Sequence, residues 1–416
     1  MNVTLEQLRA RGFFQQCSDP EGLSRLMDQG PLTFYEGCDP TGPSLHIGHM
    51  VPYFGIRHLL AAGHKAIVLV GGGTARIGDP SGKTELRKIL SYEQIDANVA
   101  AISAQLSRFF GPDSDKIQWV NNKDWLASLN YIDFLRDIGR HFSVNRMLSF
   151  EAYKLRMENG LSFIEFNYQL LQSYDFLQLY KRFGCCLQIG GDDQWGNIVA
   201  GIDLIRRVES AEVFALTFPL VSTADGKKMG KTEKGAIFLD PAITSPYDFF
   251  QYWRNVRDAD VRRFLLMFTF LPIEECERLC AAGTNPNDAK ERLAWEVTAL
   301  IHGQDEANKA LSGARAAFSN DGDKDAMPQV TLTLTKFAAG YNIVDLFFDA
   351  GLVPTKSEGR RLVQQGGAFV AQAGAKLAAI DDVATILGAD ALDATGELLL
   401  RAGKKRYCRV ITIADC

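Results

Sequence analysis

From Leu32 to about Leu239 the chain alternates short β-rich runs with longer helical stretches, and several of the runs end in glycine-rich turns. The runs are Leu32–Tyr35, Ala66–Val70, Ile117–Val120, Leu187–Ile189 and Val213–Leu216. Strands separated by helix-length segments pair in parallel, because the helix carries the chain back across the sheet and covers one of its faces. The expected fold class is therefore α/β, with a mostly parallel sheet. Ligands of such sheets bind beyond the carboxyl ends of the strands. The turns after Tyr35, Val70 and Ile189 are accordingly where chemistry is expected.

Beyond Thr244 the strand signals stop, and Tyr247–Asn255, Asp260–Phe268, Asp288–His302 and Asp305–Phe318 read as helices. Ser319–Gln329 is polar and interrupted by glycine and proline, hence a linker, and a small mixed α/β module follows it. The expected organisation is 1–240 for the sheet domain with a connective insertion, 241–320 for a helical domain, 321–335 for a linker and 336–416 for the module. At 416 residues, 46% of them hydrophobic, the chain can bury cores of this number and size. The net charge of −5 excludes a uniformly basic nucleic-acid binder but not a local basic face. No stretch approaches the ~18 apolar residues of a membrane span, and no secretory leader is visible, which points to the cytoplasm. The eight cysteines show no zinc spacing, and no metal site of the protein's own is expected.

Five segments carry chemistry. Tyr35-Glu-Gly-Cys-Asp-Pro-Thr-Gly-Pro-Ser-Leu-His-Ile-Gly-His49 runs from a strand end into a helix start, where backbone N–H groups attract phosphate. Two histidines on that turn can donate further hydrogen bonds, and Gly48 allows a flat ligand to approach the backbone. Gly71-Gly-Gly-Thr-Ala-Arg-Ile-Gly-Asp-Pro-Ser-Gly-Lys-Thr84 is a glycine-rich loop, but Ile77 and Arg76 stand where a Walker A loop and a dinucleotide fingerprint need glycine. Its Asp79 could hold an ammonium group. In Phe163–Leu177 helical periodicity gathers Phe163, Phe166, Leu170, Tyr174 and Leu177 on a core face, with Tyr168, Gln172 and Asp175 opposite. That polar face suits either a small polar ligand or solvent. Leu187-Gln-Ile-Gly-Gly-Asp-Asp-Gln-Trp-Gly-Asn197 is another strand-to-helix turn, whose carboxylates could bind ribose or cap the helix. Asp225-Gly-Lys-Lys-Met-Gly-Lys-Thr-Glu233 is a cationic loop able to close over a polyphosphate, or a solvated charge run.

His46-Ile-Gly-His49, followed about 180 residues later by Lys228-Met-Gly-Lys-Thr232, resembles the paired HIGH and KMSKS signatures of class I aminoacyl-tRNA synthetases. Gly78-Asp-Pro-Ser-Gly82, the Tyr168, Gln172, Asp175 spacing and Gly190-Gly-Asp-Asp-Gln-Trp-Gly-Asn197 resemble the tyrosine-specific, bacterial-type branch. The segments from Ile343 and from Lys356 are similar to an S4-type RNA-binding module. The resemblance spans nearly the whole chain and implies a Rossmann-like catalytic domain, an α-helical anticodon-region domain and a small α+β S4-like domain.

The reaction it implies is a tyrosine–tRNA ligase reaction. Tyrosine and ATP, with Mg2+, form tyrosyl-adenylate and pyrophosphate, and tyrosine then passes to the 3′ end of tRNA(Tyr) on a homodimeric enzyme. By the same resemblance Thr41, His46 and His49 contact ATP phosphates, and Lys228, Lys231 and Thr232 clamp the departing pyrophosphate. The phenol lies between Tyr35 and Asp175, and the ammonium near Asp79, Tyr168 and Gln172. Gln188 and Gln194 complete the tyrosine site, while Asp39, Gly48, Gly190, Asp193 and Lys231 serve the nucleotide. Lys356, Arg360, Arg361, Lys404 and Lys405 form basic clusters for tRNA, in a segment with ten lysines and arginines against nine carboxylates from Thr335 to Cys416. Glu36, Cys38 and Asp192 depart from the family pattern, and Glu36 stands where a carboxylate could bond the ribose or repel ATP. A tryptophan-specific synthetase shares the fold and both signatures, but Asp175 opposite Tyr35 favours a phenol; a non-catalytic paralogue would have lost the signature residues.

Overall fold

A computed structural model describes residues 1–416 except 82–89, 223–228, 230, 233–234, 317–327, 404–405 and 414–416; the side chains of 112, 114, 152, 155, 231, 232, 316 and 374 are also outside it. The chain forms two compact units, Met1–Ser245 with Tyr252–Ile301, and Pro246–Gln251 with His302–Cys416.

The first unit is built on a six-stranded sheet of β1 (Gln16–Cys17), β2 (Thr33–Cys38), β3 (Lys65–Val70), β4 (Ile117–Asn121), β5 (Cys185–Gly191) and β6 (Phe214–Phe218). Their spatial order is β1-β6-β5-β2-β3-β4. Every pair is parallel except β1 with β6, an antiparallel edge that the sequence pattern did not reveal because β1 is two residues long. Chain order runs outward from β2 through β3 to β4, then returns to β5 on the other side. The crevice between β2 and β5 is thus the topological switch point, where such sheets bind ligands.

Phe163–Phe183 is the helix that leads into β5. Ser162 and Glu165 close its start as a capping box, and Gly184, at φ 63°, ends it in the left-handed conformation. Its hydrophobic side packs in a core with Tyr35, Ile67, Leu69 and Trp125. Phe163 departs from the expected core face: as the first residue of the helix it is 69% exposed and has no neighbouring turn packed over it in the core. Tyr168 and Asp175, on the face that could have met solvent, are buried. A hairpin of β7 (Lys231–Thr232) and β8 (Gly235–Ala236) precedes the helices Pro246–Arg254, Asp258–Phe268, Ile273–Leu279, Pro286–His302 and Gln304–Ala316, of which the first in large part and the last wholly belong to the second unit.

In the second unit β9 (Gln329–Thr333), β11 (Ala368–Ala371), β12 (Ala378–Ile380), β14 (Glu397–Ala402) and β15 (Arg406–Ile413) make a five-stranded sheet in the order β12-β11-β14-β15-β9. A second pair joins β10 (Tyr341–Asn342) to β13 (Ile386–Leu387). Residues 329–333, which polarity assigns to the linker, are the strand β9: their Val-Thr-Leu-Thr alternation pairs in parallel with β15. The helices Ile343–Asp349 and Lys356–Gln364 pack on this sheet around Phe337, Ile343, Phe347 and Val363.

Candidate active site

Tyr35 stands in the middle of β2, in register with Ile67 of β3 and Gln188 of β5. Its ring packs 5.2 Å from that of Phe176, and its buried hydroxyl has no hydrogen-bond partner. The neighbouring Asp175 is 2% exposed and accepts from the Trp125 indole N–H at 2.7 Å and from the Asn122 amide at 2.8 Å. Burial pushes this carboxyl up to about 7, with the two donors pulling it down and Asp39 pushing it further up. Burial, then the charge of Asp175, raises the Tyr35 phenol well above its ordinary range and keeps it neutral. A neutral phenol and a carboxyl within electrostatic reach can together donate to and accept from one ligand hydroxyl. The side-chain carbonyls of Gln188 and Gln172 are likewise buried without partners. Unpaired buried polar atoms are rare, so several on one crevice are what a polar ligand would complete.

Just beyond β2, Asp39 accepts from the Tyr168 hydroxyl at 2.9 Å and the Thr74 hydroxyl at 2.6 Å. Asn122 extends the network by donating to Thr74 at 2.9 Å and accepting from the Gly73 N–H at 2.7 Å. A Cβ at Gly71 would fall 2.1 Å from the Asp39 carboxylate, so this approach requires glycine there. Asp79, also buried, accepts from the Ser81 N–H at 2.9 Å and the Gln194 amide at 2.7 Å, and Asn197 donates to Gln194 at 3.1 Å. Gly190 ends in the crevice at the tip of β5, and the half-buried Asp193 follows on the 3-10 turn Asp192–Gln194. Asp192 does not cap the helix: it accepts from Gln16 at 2.7 Å and Thr217 at 2.8 Å, tying β5 to β1 and β6. Neither that turn nor the helix Trp195–Glu209 has a side-chain cap.

Thr41 is exposed on the turn after β2, and His46 and His49 flank the 3-10 turn Ile47–His49. His46 Nδ1 accepts from the Gly48 N–H at 3.1 Å, and His49 Nδ1 accepts from the His46 N–H at 3.3 Å. With Nδ1 an acceptor in both, Nε2 of each ring is left as the donor nitrogen. The rings stack at 3.7 Å. Met229 and residues 237–239, which follow β8, meet this turn through their backbone. Ile47 N–H donates to Ile237 at 3.0 Å, Leu239 N–H donates to Leu45 at 2.8 Å, and a Cβ at Gly48 would lie 3.2 Å from the Met229 carbonyl. Two segments about 180 residues apart are thereby side by side. Lys228 lies outside the described residues, and Lys231 and Thr232 are described by their backbone in β7 alone.

In the second unit Lys356, Arg360 and Arg361 are exposed on the helix Lys356–Gln364, with Lys356 paired to Asp345 at 2.8 Å. Lys404 and Lys405 lie outside the described residues. Arg406 donates to the Leu352 carbonyl at 2.7 Å, and Arg409 pairs with Glu397. The sequence pattern missed Thr74, Asn122, Trp125 and Asn197. Asn122 and Trp125 follow directly on β4, so the strand-end rule applied to one more strand would have found them.

The family described as tRNA synthetases class I (W and Y) matches residues 27–319. The tyrosine–tRNA ligase of Treponema denticola is 64% identical over 411 residues, covering 99% of this chain and 100% of that protein. That of Caldanaerobacter subterraneus subsp. tengcongensis is 48% identical, covering 98% of each. Among solved structures, a C-terminally truncated Aspergillus nidulans mitochondrial tyrosyl-tRNA synthetase is similar with a TM-score of 0.68 and 31% identity, over 76% of this chain and 94% of that one.

Proposed function

This chain belongs to the class I tRNA synthetases of the W and Y group, and we propose from its site that the amino acid it activates is tyrosine. The tyrosine carboxylate attacks the α-phosphorus of ATP, the bond to pyrophosphate breaks, and tyrosyl-adenylate forms. A hydroxyl of the terminal tRNA ribose then attacks the tyrosyl carbonyl, and AMP leaves. No covalent enzyme intermediate is required; catalysis rests on positioning and on stabilising charge.

The observation that carries the tyrosine reading is the buried pair of Tyr35, with an unpartnered hydroxyl, and Asp175. A phenol between them donates to one and accepts from the other. Phenylalanine would leave both buried groups short of a partner, at about 1–3 kcal/mol each. Asp79, Tyr168 and Gln172 hold the ammonium, and Gln188 and Gln194 orient the carboxylate. Thr41, His46 and His49 bind the phosphates of ATP, while Lys228, Lys231 and Thr232 take up charge as pyrophosphate departs. Asp39, Gly48, Gly190 and Asp193 line the nucleotide side. Magnesium would accompany ATP as the counter-ion of its phosphates, supplying charge neutralisation beside Thr41, His46 and His49.

Residues 1–240 do this chemistry, 241–320 meet the anticodon region, and 336–416 grip the RNA through Lys356, Arg360, Arg361, Lys404 and Lys405. The enzyme works as a homodimer in the cytoplasm. Support for a dimer comes from Tyr131, Ile132, Val144, Met157, Phe163 and Ile164, large apolar side chains that are exposed within residues 131–164. Among the described residues no helix is long and apolar enough to cross a membrane.

The deciding experiment is amino-acid-dependent exchange of labelled pyrophosphate into ATP. Exchange with tyrosine, but not with phenylalanine or tryptophan, is expected. Exchange with tryptophan in place of tyrosine would overturn the assignment.

A further inference from the structure

Among the described residues of the first unit, Glu36 is a carboxyl buried without a counter-charge. It is 6% exposed, its Oε2 has no hydrogen-bond partner, and among the described residues no lysine, arginine or histidine pairs with it. Residues alternate across β2, so Glu36 and Cys38 face away from Tyr35 and toward the helix Met50–Ala61. There the Tyr53 phenol lies close to both without meeting either at hydrogen-bonding geometry. Tyr53 is four residues after His49, one helical turn along the same face. The carboxyl therefore lies against this helix about one turn beyond His49, on the face of β2 opposite Tyr35.

The groups facing it are Tyr53 from the helix and, from β2 itself, Cys38, both held neutral by burial, while the neutral Tyr35 phenol lies on the opposite face of the strand. A carboxylate in such surroundings has neither a counter-charge nor a full set of donors, and a buried group in that position sheds its charge by keeping its proton. Burial pushes Glu36 up to about 8, with the Tyr53 phenol pulling the other way.

We propose that Glu36 couples nucleotide binding to a proton: ATP binds while this carboxyl is neutral and is expelled when it ionises. The inference rests on the assignment of the histidine turn to ATP. Its physical basis is the difference between the two substrates. ATP is a polyanion and meets a new buried negative charge as repulsion, whereas tyrosine is a zwitterion without net charge, bound on the opposite side of β2.

The test is the pH dependence of the two Michaelis constants in tyrosine-dependent pyrophosphate exchange. Above about pH 8 the ATP constant should climb about tenfold per pH unit, as the binding-competent fraction falls, while the tyrosine constant moves far less. In Glu36→Gln, which places a neutral amide at the same position, the climb should disappear. Calorimetry on the unaltered chain gives a second readout that needs no variant. ATP binding near pH 8, measured in two buffers of different ionisation enthalpy, should take up a fraction of a proton. A flat ATP constant, a climb that persists in Glu36→Gln, or binding without proton uptake would overturn the proposal. Absence of tyrosine-dependent exchange at neutral pH would instead sink the functional assignment beneath it.

Discussion

Asp175 shows how much one side chain can be asked to do. Its oxygens are engaged by Trp125 and Asn122, yet its carboxyl still lies within reach of the Tyr35 hydroxyl. The folded chain holds its proton up to about 7 against an ordinary value of 3.8. In that window the folded state binds more protons than the unfolded one, so this group's contribution to stability is full below about 3.8 and is lost as pH rises toward about 7. Asp175→Asn should flatten the slope of stability against pH across the same window in urea unfolding, and abolish tyrosine-dependent exchange. An unchanged slope would mean that Asp175 is ionised throughout.

At the scale of elements, the helix Phe163–Phe183 is where positioning is concentrated, since Tyr168, Gln172 and Asp175 all ride on it. Its start is locked by a buried ion pair. Arg156 donates to Glu165 at 3.1 Å and to the Gly160 carbonyl at 3.0 Å, while Glu165 also accepts from the Ser162 hydroxyl at 2.9 Å. Both ion-pair partners are almost wholly out of solvent. Removing one leaves the other's charge uncompensated, so Arg156→Ala should cost about 3–5 kcal/mol in chemical denaturation. A loss below about 1 kcal/mol, the range of exposed pairs, would show that water reaches Glu165.

For the whole molecule, the division of labour makes two separable predictions. Replacing Arg360 and Arg361 together with alanine should leave pyrophosphate exchange intact and weaken tRNA charging. The salt dependence of tRNA binding should become shallower by about one unit for each phosphate that the variant no longer neutralises. Equal loss of exchange and charging would place those residues in the fold instead of at the RNA. Ile132, 69% exposed among other large apolar side chains, should lie in the dimer interface. Ile132→Asp should shift sedimentation from dimer toward monomer, and an unaltered dimer would put the interface elsewhere.

Much of this was legible in the chain before its structure. The alternation of β-runs with helical segments determined the parallel sheet, because strand period and connection length are local properties. The glycine turns after Tyr35, Val70 and Ile189 marked the crevice for the same reason, since a strand end is visible wherever periodicity changes. Tertiary structure alone decided which polar faces were covered. Periodicity set Tyr168, Gln172 and Asp175 on one side of a helix but could not say whether solvent or a sheet lay against it, and it misplaced Phe163 in the core. It could not show that Asn122 and Trp125 hold Asp175, that the histidine turn and the segment around Met229 touch, or that Glu36 is sealed beneath Tyr53. Burial and protonation depend on neighbours supplied by distant parts of the chain, and those neighbours exist only once the sheet has closed.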